Sequence, residues 1–374
     1  ELLASQIGGS SAHERIAAAY QYVMSSIEES DQNFQTGNVP SASESFAAGE
    51  GNRTAALLAL LSAMGFDADL ELTTDVNSYG PKESCPALRC YTHPLVRVTL
   101  PSSKPLLLDP EMDGLAAGAL SPEVEGQPAF LISRERPAND QIVTVPHITD
   151  ERSQATANLQ LDENGGIRGT IHIRFGSLRG AQMRENLRQL SAKDRQTYFE
   201  EIASRILPNA GKVSASLRHE NNPESPLELE LKTGISIPSH WTEPTIEVGQ
   251  LIPALGLGRL YATLPERRDD LLLETPLVED SEFFVHLPPG VEASHLPEAA
   301  NLKSSFGEYH TEFKVEDGVL TVVRSFRIPV QQITPAEYSA FSKFALQIDN
   351  AESELLELRR SSVARNASAA PISH

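Results

Sequence analysis

At 374 residues the chain exceeds one ordinary core, so two or three domains are expected, and with 40% hydrophobic and 22% charged residues it has the means to bury them. Its 51 acidic against 31 basic residues leave a net charge of −20, which excludes bulk electrostatic attachment to nucleic acid or to an anionic membrane surface. No run approaches the roughly 18 apolar residues needed to cross a bilayer as a helix. The chain opens on Glu1 without a basic start or an apolar signal core, and so reads as a processed or truncated product.

Ser11 to Glu14 forms a capping box, and Ile16, Tyr20, Val23 and Ile27 follow at helical spacing, which predicts a first helix ending near Glu28. The polar stretch from Asp31 to Ala48, with Gly37 and Pro40, predicts an exposed loop. Asn52 to Gly65 is apolar nearly all round, through Leu57, Leu58, Leu60, Leu61 and Met64, the pattern of a helix buried on every side. Ala68, Leu70 and Leu72 then alternate as a strand, and further strands are expected over His93 to Leu100 and Lys104 to Asp109. A buried helix followed by an antiparallel meander predicts an α+β fold.

The loop between the first two of these strands carries Cys85 and Cys90, the only cysteines. Two thiols exclude a zinc site built of cysteines. They read either as a disulfide closing a small loop in an oxidising compartment or as a pair of free thiols. Neither stands at a helix N-terminus, so neither has a means of lowering its pKa to act as a nucleophile.

From about residue 150 short β segments dominate. Thr156 to Leu161 and Thr170 to Phe175 flank an Asn164-Gly165 turn, and Tyr309 to Val315 and Leu320 to Ile328 flank Asp317-Gly318, so two hairpins are predicted. Between them lie a helical stretch from Leu178 to Leu207, broken near Ser191, and strands at Val213 to Leu217 and Leu227 to Leu231. Thr334, Pro335 and Glu337 supply an N-cap, a first-turn proline and a capping-box partner for a last helix, whose apolar face is Tyr338, Phe341, Ala345 and Ile348. The small, polar tail after Arg360 predicts a mobile end. The expected division is 1–148, 149–270 and 271–374, with the last two also able to form one unit.

One ordered set of residues carries chemistry. Papain-like enzymes place a thiolate at the N-terminus of a buried helix, a histidine on a following strand and an orienting acid or amide on the next. Here the helix, His93 and Asp109 come in that order, with His93 and Asp109 separated by 16 residues (109 − 93). The stretch GEGNRTAALLALLSAMGFDADL resembles the nucleophile helix of bacterial transglutaminase-like proteins, which reads Gly, Asp, Cys, three polar residues, Ala and a leucine-rich helix ending in Gly. Registered on Gly49 and Ala55, the cysteine falls on Gly51. HPLVRV and LLLDPEMDG resemble the family's histidine and aspartate motifs, and LSPEVEGQPAFLI and GVLTVVRSFRIP resemble its downstream part.

The resemblance implies a transglutaminase-like, papain-like module over 1–148, followed by a mostly antiparallel β-sandwich region with a C-terminal helix. It implies a remnant site of Gly51, His93 and Asp109, in which glycine has no side chain to form an acyl-enzyme. Gly49 and Gly51 either permit a tight turn or, with Asn52 and Arg53, leave a helix N-terminus open to an anion or a peptide. The function implied is a catalytically inactive, peptide- or protein-binding or structural module of the cell envelope, periplasmic or secreted, with no cofactor and no metal. The alternative is an amide-bond hydrolase or acyltransferase using a non-standard nucleophile or a partner subunit. No Gly-x-Ser-x-Gly elbow, phosphate loop or metal-binding helix motif offers a different chemistry.

Overall fold

The computed structural model describes residues 2–30, 40–75, 91–101, 104–133, 141–147, 150–163, 165–207, 211–235, 245–248, 251–273 and 276–360. Cys85, Cys90, Asn164 and the tail after Arg360 lie outside the described residues, and with them the disulfide, the first residue of one turn and the mobile end. The fold is α+β, with mostly antiparallel sheets and a long helix near the C-terminus. Two compact units are present, one of residues 1–151, 177–186 and 221–226, the other of 152–176, 187–220 and 227–374.

The first unit begins with α1 (Leu2–Gln6) and α2 (Ala12–Ser26), the latter capped by Ser11, whose hydroxyl accepts the Glu14 N–H. Strand β1 (Glu28–Glu29) pairs in parallel with β2 (Glu50–Gly51). Between these strands stands α3 (Ala42–Ala48), inside the stretch expected to be a loop. A complete capping box of Ser41 and Glu44 starts it and left-handed Gly49 ends it, but Ser45 is its one buried residue, so it carries no apolar stripe to reveal it. The central helix α4 (Arg53–Ala63) follows, and Leu57, Leu60 and Leu61 pack against Ile16, Tyr20 and Val23 of α2.

These helices cover a five-stranded antiparallel sheet of order β5-β4-β3-β6-β7, built from β3 (Asp67–Thr73), β4 (His93–Thr99), β5 (Leu106–Leu108), β6 (Pro128–Ile132) and β7 (Gln141–Thr144). Alternation assigns the faces of β4: Val96 and Val98 join the helical core, whereas Leu95 joins Leu107, Leu120, Val124, Ala129 and Val145 on the opposite side. Burial on both faces explains why HPLVRV is continuously apolar between His93 and Arg97.

The second unit holds an eight-stranded sheet. Its strands are β8 (Ser153–Leu161), β9 (Ile167–Arg174), β10 (Ser214–Arg218), β11 (Glu228–Ile235), β14 (Leu277–His286), β16 (Ala300–Ser304), β17 (Gly307–Glu316) and β18 (Val319–Ile328), counting β12 (Thr245–Val248), β13 (Leu271–Leu273) and β15 (Val291–His295) outside it. All its pairings are antiparallel except β8 with β14. Both expected hairpins are present as β8-β9 and β17-β18. At the second, Asp317 and Gly318 take φ 49° and 75°, the paired positive φ that a two-residue type I′ turn requires.

The predicted helical stretch is two helices, α5 (Ser177–Gln189) and α6 (Ala192–Ile206), the latter capped by Ser191. A short α7 (Leu257–Tyr261) and the strand β19 (Gln331–Ile333) precede α8 (Pro335–Ser353). Tyr338, Phe341, Phe344, Ala345 and Ile348 of α8 form the core with Phe306, Tyr309, Phe326 and Ile328, Phe306 meeting Phe341 edge-on at 5.5 Å. The last described strand, β20 (Leu356–Arg360), is the middle of a three-stranded sheet between β12 and β15.

One buried polar cluster sits inside this apolar core. The Arg324 guanidinium, 5% exposed, pairs with Glu352 at 3.0 Å and Glu279 at 3.1 Å and donates to the Pro253 carbonyl. Glu352 also accepts the Leu255 N–H and the Tyr309 hydroxyl. Burial pushes the Glu352 carboxyl up, against the opposing pull of Arg324.

Candidate functional site

The site is built where α4 begins and β4 and β5 meet. Antiparallel pairing of Val96 with Leu108 sets the start of β4 beside the end of β5. There His93 Nε2 lies 2.8 Å from Asp109 Oδ1. The Asp109 carboxylate is fully buried and held by two backbone donors, Ser121 N–H at 2.9 Å and Glu111 N–H at 3.3 Å, while its carbonyl accepts the Tyr20 hydroxyl at 2.7 Å. An acid fixed on this many sides orients the imidazole and stabilises its charged form.

The charge states follow from these contacts. Burial opposes the positive charge on His93, but Asp109, by charge and hydrogen bond, with Glu111 and Glu123 behind it, outweighs that penalty and raises the imidazole to about 9. Burial likewise works against the Asp109 carboxylate, and His93 and the two N–H donors reverse it, holding the carboxyl below its ordinary value. His93 and Asp109 are therefore an imidazolium–carboxylate pair at neutral pH. Glu111 reaches solvent, yet it stands in a pocket walled by protein; lost hydration, then repulsion from Glu29 and Asp109, lifts it to about 7.

The N-terminus of α4 is closed by the protein itself. Asn52 is the N-cap, its side chain accepting the Ala55 N–H at 2.7 Å, and the carboxylate of Glu29 accepts the Arg53 N–H at 2.8 Å. Glu29 thus occupies the anion seat that the helix dipole creates. The Arg53 side chain is buried as well: its Nε donates to the Ile27 carbonyl at 2.7 Å and its Nη2 pairs with Asp113 at 3.1 Å. These internal partners take the donors of Asn52 and Arg53 with which an external anion would have to bond. Gly49 is the left-handed C-cap of α3, at φ 72°.

Gly51 is buried, with φ 152°. A Cβ built on it would stand 2.7 Å from Ser45 Cβ and 3.2 Å from Ser45 Cα, and closer still to the Ser45 hydroxyl. The serine fills the volume a side chain at position 51 would need.

His93 opens onto a cavity of about 690 Å³, whose lining includes Glu111, Asp113, Ser121 and Glu123. Residues 181, 182, 185 and 186 of α5 complete it. Sequence reasoning brought His93 and Asp109 forward but missed Glu29, Glu111 and α5. Glu111 stands two residues after Asp109 and was open to notice; Glu29 reaches α4 only through the β1-β2 pairing, which no local pattern announces. Among the described residues no cluster of His, Cys, Asp or Glu is disposed to hold a metal ion, and no helix is long and apolar enough to cross a membrane.

Comparison with known proteins follows the same architecture. Residues 253–358 match a family described as a domain of unknown function with a solved structure, DUF3858. No curated protein sequence matches the chain significantly. A crystal structure from Parabacteroides distasonis ATCC 8503, described as a "putative protease", superposes over 96% of this chain with a TM-score of 0.55 at 12% identity. This chain spans 54% of that protein's length, and at such identity the likeness is one of fold.

Proposed function

We propose that this chain is a transglutaminase-like, papain-like protein that has lost catalysis and holds a peptide or protein segment in the cleft beside His93. The observation that carries this reading is the packing at Gly51: the position that the family motif assigns to the nucleophile has no side chain, and Ser45 fills the space where one would stand. The fold shared with a protein described as a protease supports the class, and the retained cavity supports binding. In our reading the protein works outside the cytoplasm, periplasmic or secreted, on a partner in the cell envelope.

The test is turnover against binding. Purified protein incubated with a mixed peptide library, followed by mass spectrometry, should yield no cleaved or cross-linked product, while library members remain bound on gel filtration. Product formation that disappears in His93→Ala would overturn the reading. A second reading, an amide-bond hydrolase or acyltransferase completed by a partner subunit's nucleophile, is favoured by the intact His93–Asp109 pair. It would show as turnover only when the partner is added.

A further inference from the structure

The cavity at His93 has a second wall whose role the pair chemistry does not explain. Helix α5 is polar, and Ala181, Gln182, Glu185 and Asn186, spaced to share one face, line the cavity. Gln182 and Asn186 are exposed and Glu185 is half-buried. The helix is nonetheless firmly anchored. The Glu151 carboxylate accepts the Leu178 N–H at 2.9 Å. The Arg184 guanidinium donates to the carbonyls of Ser225 at 2.7 Å, Asn222 at 3.2 Å and Gly114 at 3.5 Å. Ala181 closes on Gly114 so tightly that a Cβ there would lie 3.1 Å from Ala181 Cα.

A helix held by its first turn, by a buried arginine and by a glycine contact is a fixed surface, and the face it leaves free points polar groups into an open cavity. Charge then decides what fits. Asp113 is matched by Arg53, and the imidazolium of His93 is matched by Asp109. Glu111, Glu123 and Glu185 remain as the excess charge of the lining. Such a cavity repels a carboxylate and favours a cation.

We infer that α5 is the specificity wall of the cleft, its Gln182 and Asn186 amides holding the main chain of a bound peptide and Glu185, with Glu111 and Glu123, receiving a lysine or arginine side chain. The inference rests on the peptide-binding reading above and adds the class of residue selected. Amide side chains four residues apart on a helix offer paired donors and acceptors to an extended backbone.

The experiment uses the full chain and three pools of N-acetylated, C-amidated heptapeptides with randomised uncharged flanks and a central lysine, norleucine or glutamate, compared by isothermal titration calorimetry. The lysine pool should bind about tenfold more tightly than the norleucine pool, as for a partly desolvated charge pair, and the glutamate pool most weakly. Glu185→Gln should reduce that preference, and Gln182→Ala with Asn186→Ala should weaken all pools alike. Gln182→Arg, at an exposed position that folding tolerates, should shift the preference toward the glutamate pool. Equal binding of lysine and norleucine pools, or a preference indifferent to both Glu185→Gln and Gln182→Arg, would overturn the inference and leave peptide binding standing. Failure of every pool to bind would overturn both.

Discussion

Gly51→Cys restores the residue type that the family motif places at the head of α4, and the structure predicts that the fold resists it. The new Cβ would approach Ser45 Cβ to 2.7 Å and its Cα to 3.2 Å, distances that side chains do not adopt, so α3 or Ser45 must move. Overpacking of this kind costs about 1–3 kcal/mol. The backbone at φ 152° adds strain for any residue with a Cβ, about 1–3 kcal/mol more. Together these are a large part of the roughly 5–15 kcal/mol that holds a domain folded. Ser45→Gly removes the colliding atoms but leaves the φ term, and it costs about 1 kcal/mol in helix propensity. A double-mutant cycle in urea should therefore show a favourable coupling of about 1–3 kcal/mol between the two substitutions. Gly51→Cys that unfolds with wild-type energy, or a cycle that closes without coupling, would show that Ser45 does not fill the nucleophile's space, and the case for lost catalysis would lose its main support.

The His93–Asp109 pair makes stability depend on pH in two windows. His93 is raised to about 9 in the folded protein, so its contribution is complete below the unfolded value of about 6.5 and is lost as pH rises through 9, by at most about 3 kcal/mol; urea midpoints compared at pH 6 and 10 should fall by less in His93→Gln. Asp109 is lowered, so its contribution is present above the unfolded carboxyl value and is lost as pH falls through the folded one; in Asp109→Asn this acid-side slope should be missing. In the second unit, Arg324→Ala strands Glu352 and Glu279 in the core and should cost about 3–5 kcal/mol by chemical denaturation, whereas Arg324→Met combined with Glu352→Leu and Glu279→Gln should recover most of it. If the single and combined variants unfold alike, the cluster is not the buried charge network described. Arg184→Ala should leave three carbonyls short of a donor and speed proteolysis within α5, read by the cleavage sites, with little change elsewhere.

What the sequence disclosed and what it withheld divide along the range of the forces involved. Helices α2, α4 and α8 and the hairpins β8-β9 and β17-β18 are written in apolar spacing, caps and turn residues, all local signals, and those elements stand where the patterns place them. Helix α3 carries a complete capping box and went unread, because its burial is limited to one serine and propensity in seven residues is a weak voice. The His93–Asp109 bond was legible as an order of motifs, since an antiparallel meander brings the head of one strand to the tail of the next. Arg324 looks in the sequence like one more residue of an alternating strand; that it is buried follows only from Glu352 arriving on α8 and Glu279 on the neighbouring strand. The same holds for Glu29 and Ser45, which reach the head of α4 from segments whose contacts no spacing encodes. A missing nucleophile can be read from one position. Whether its place is empty, and so restorable, or filled by neighbours that have closed over it depends on residues several turns away, and here a serine and a carboxylate have taken both the volume and the helix terminus that a thiolate would use.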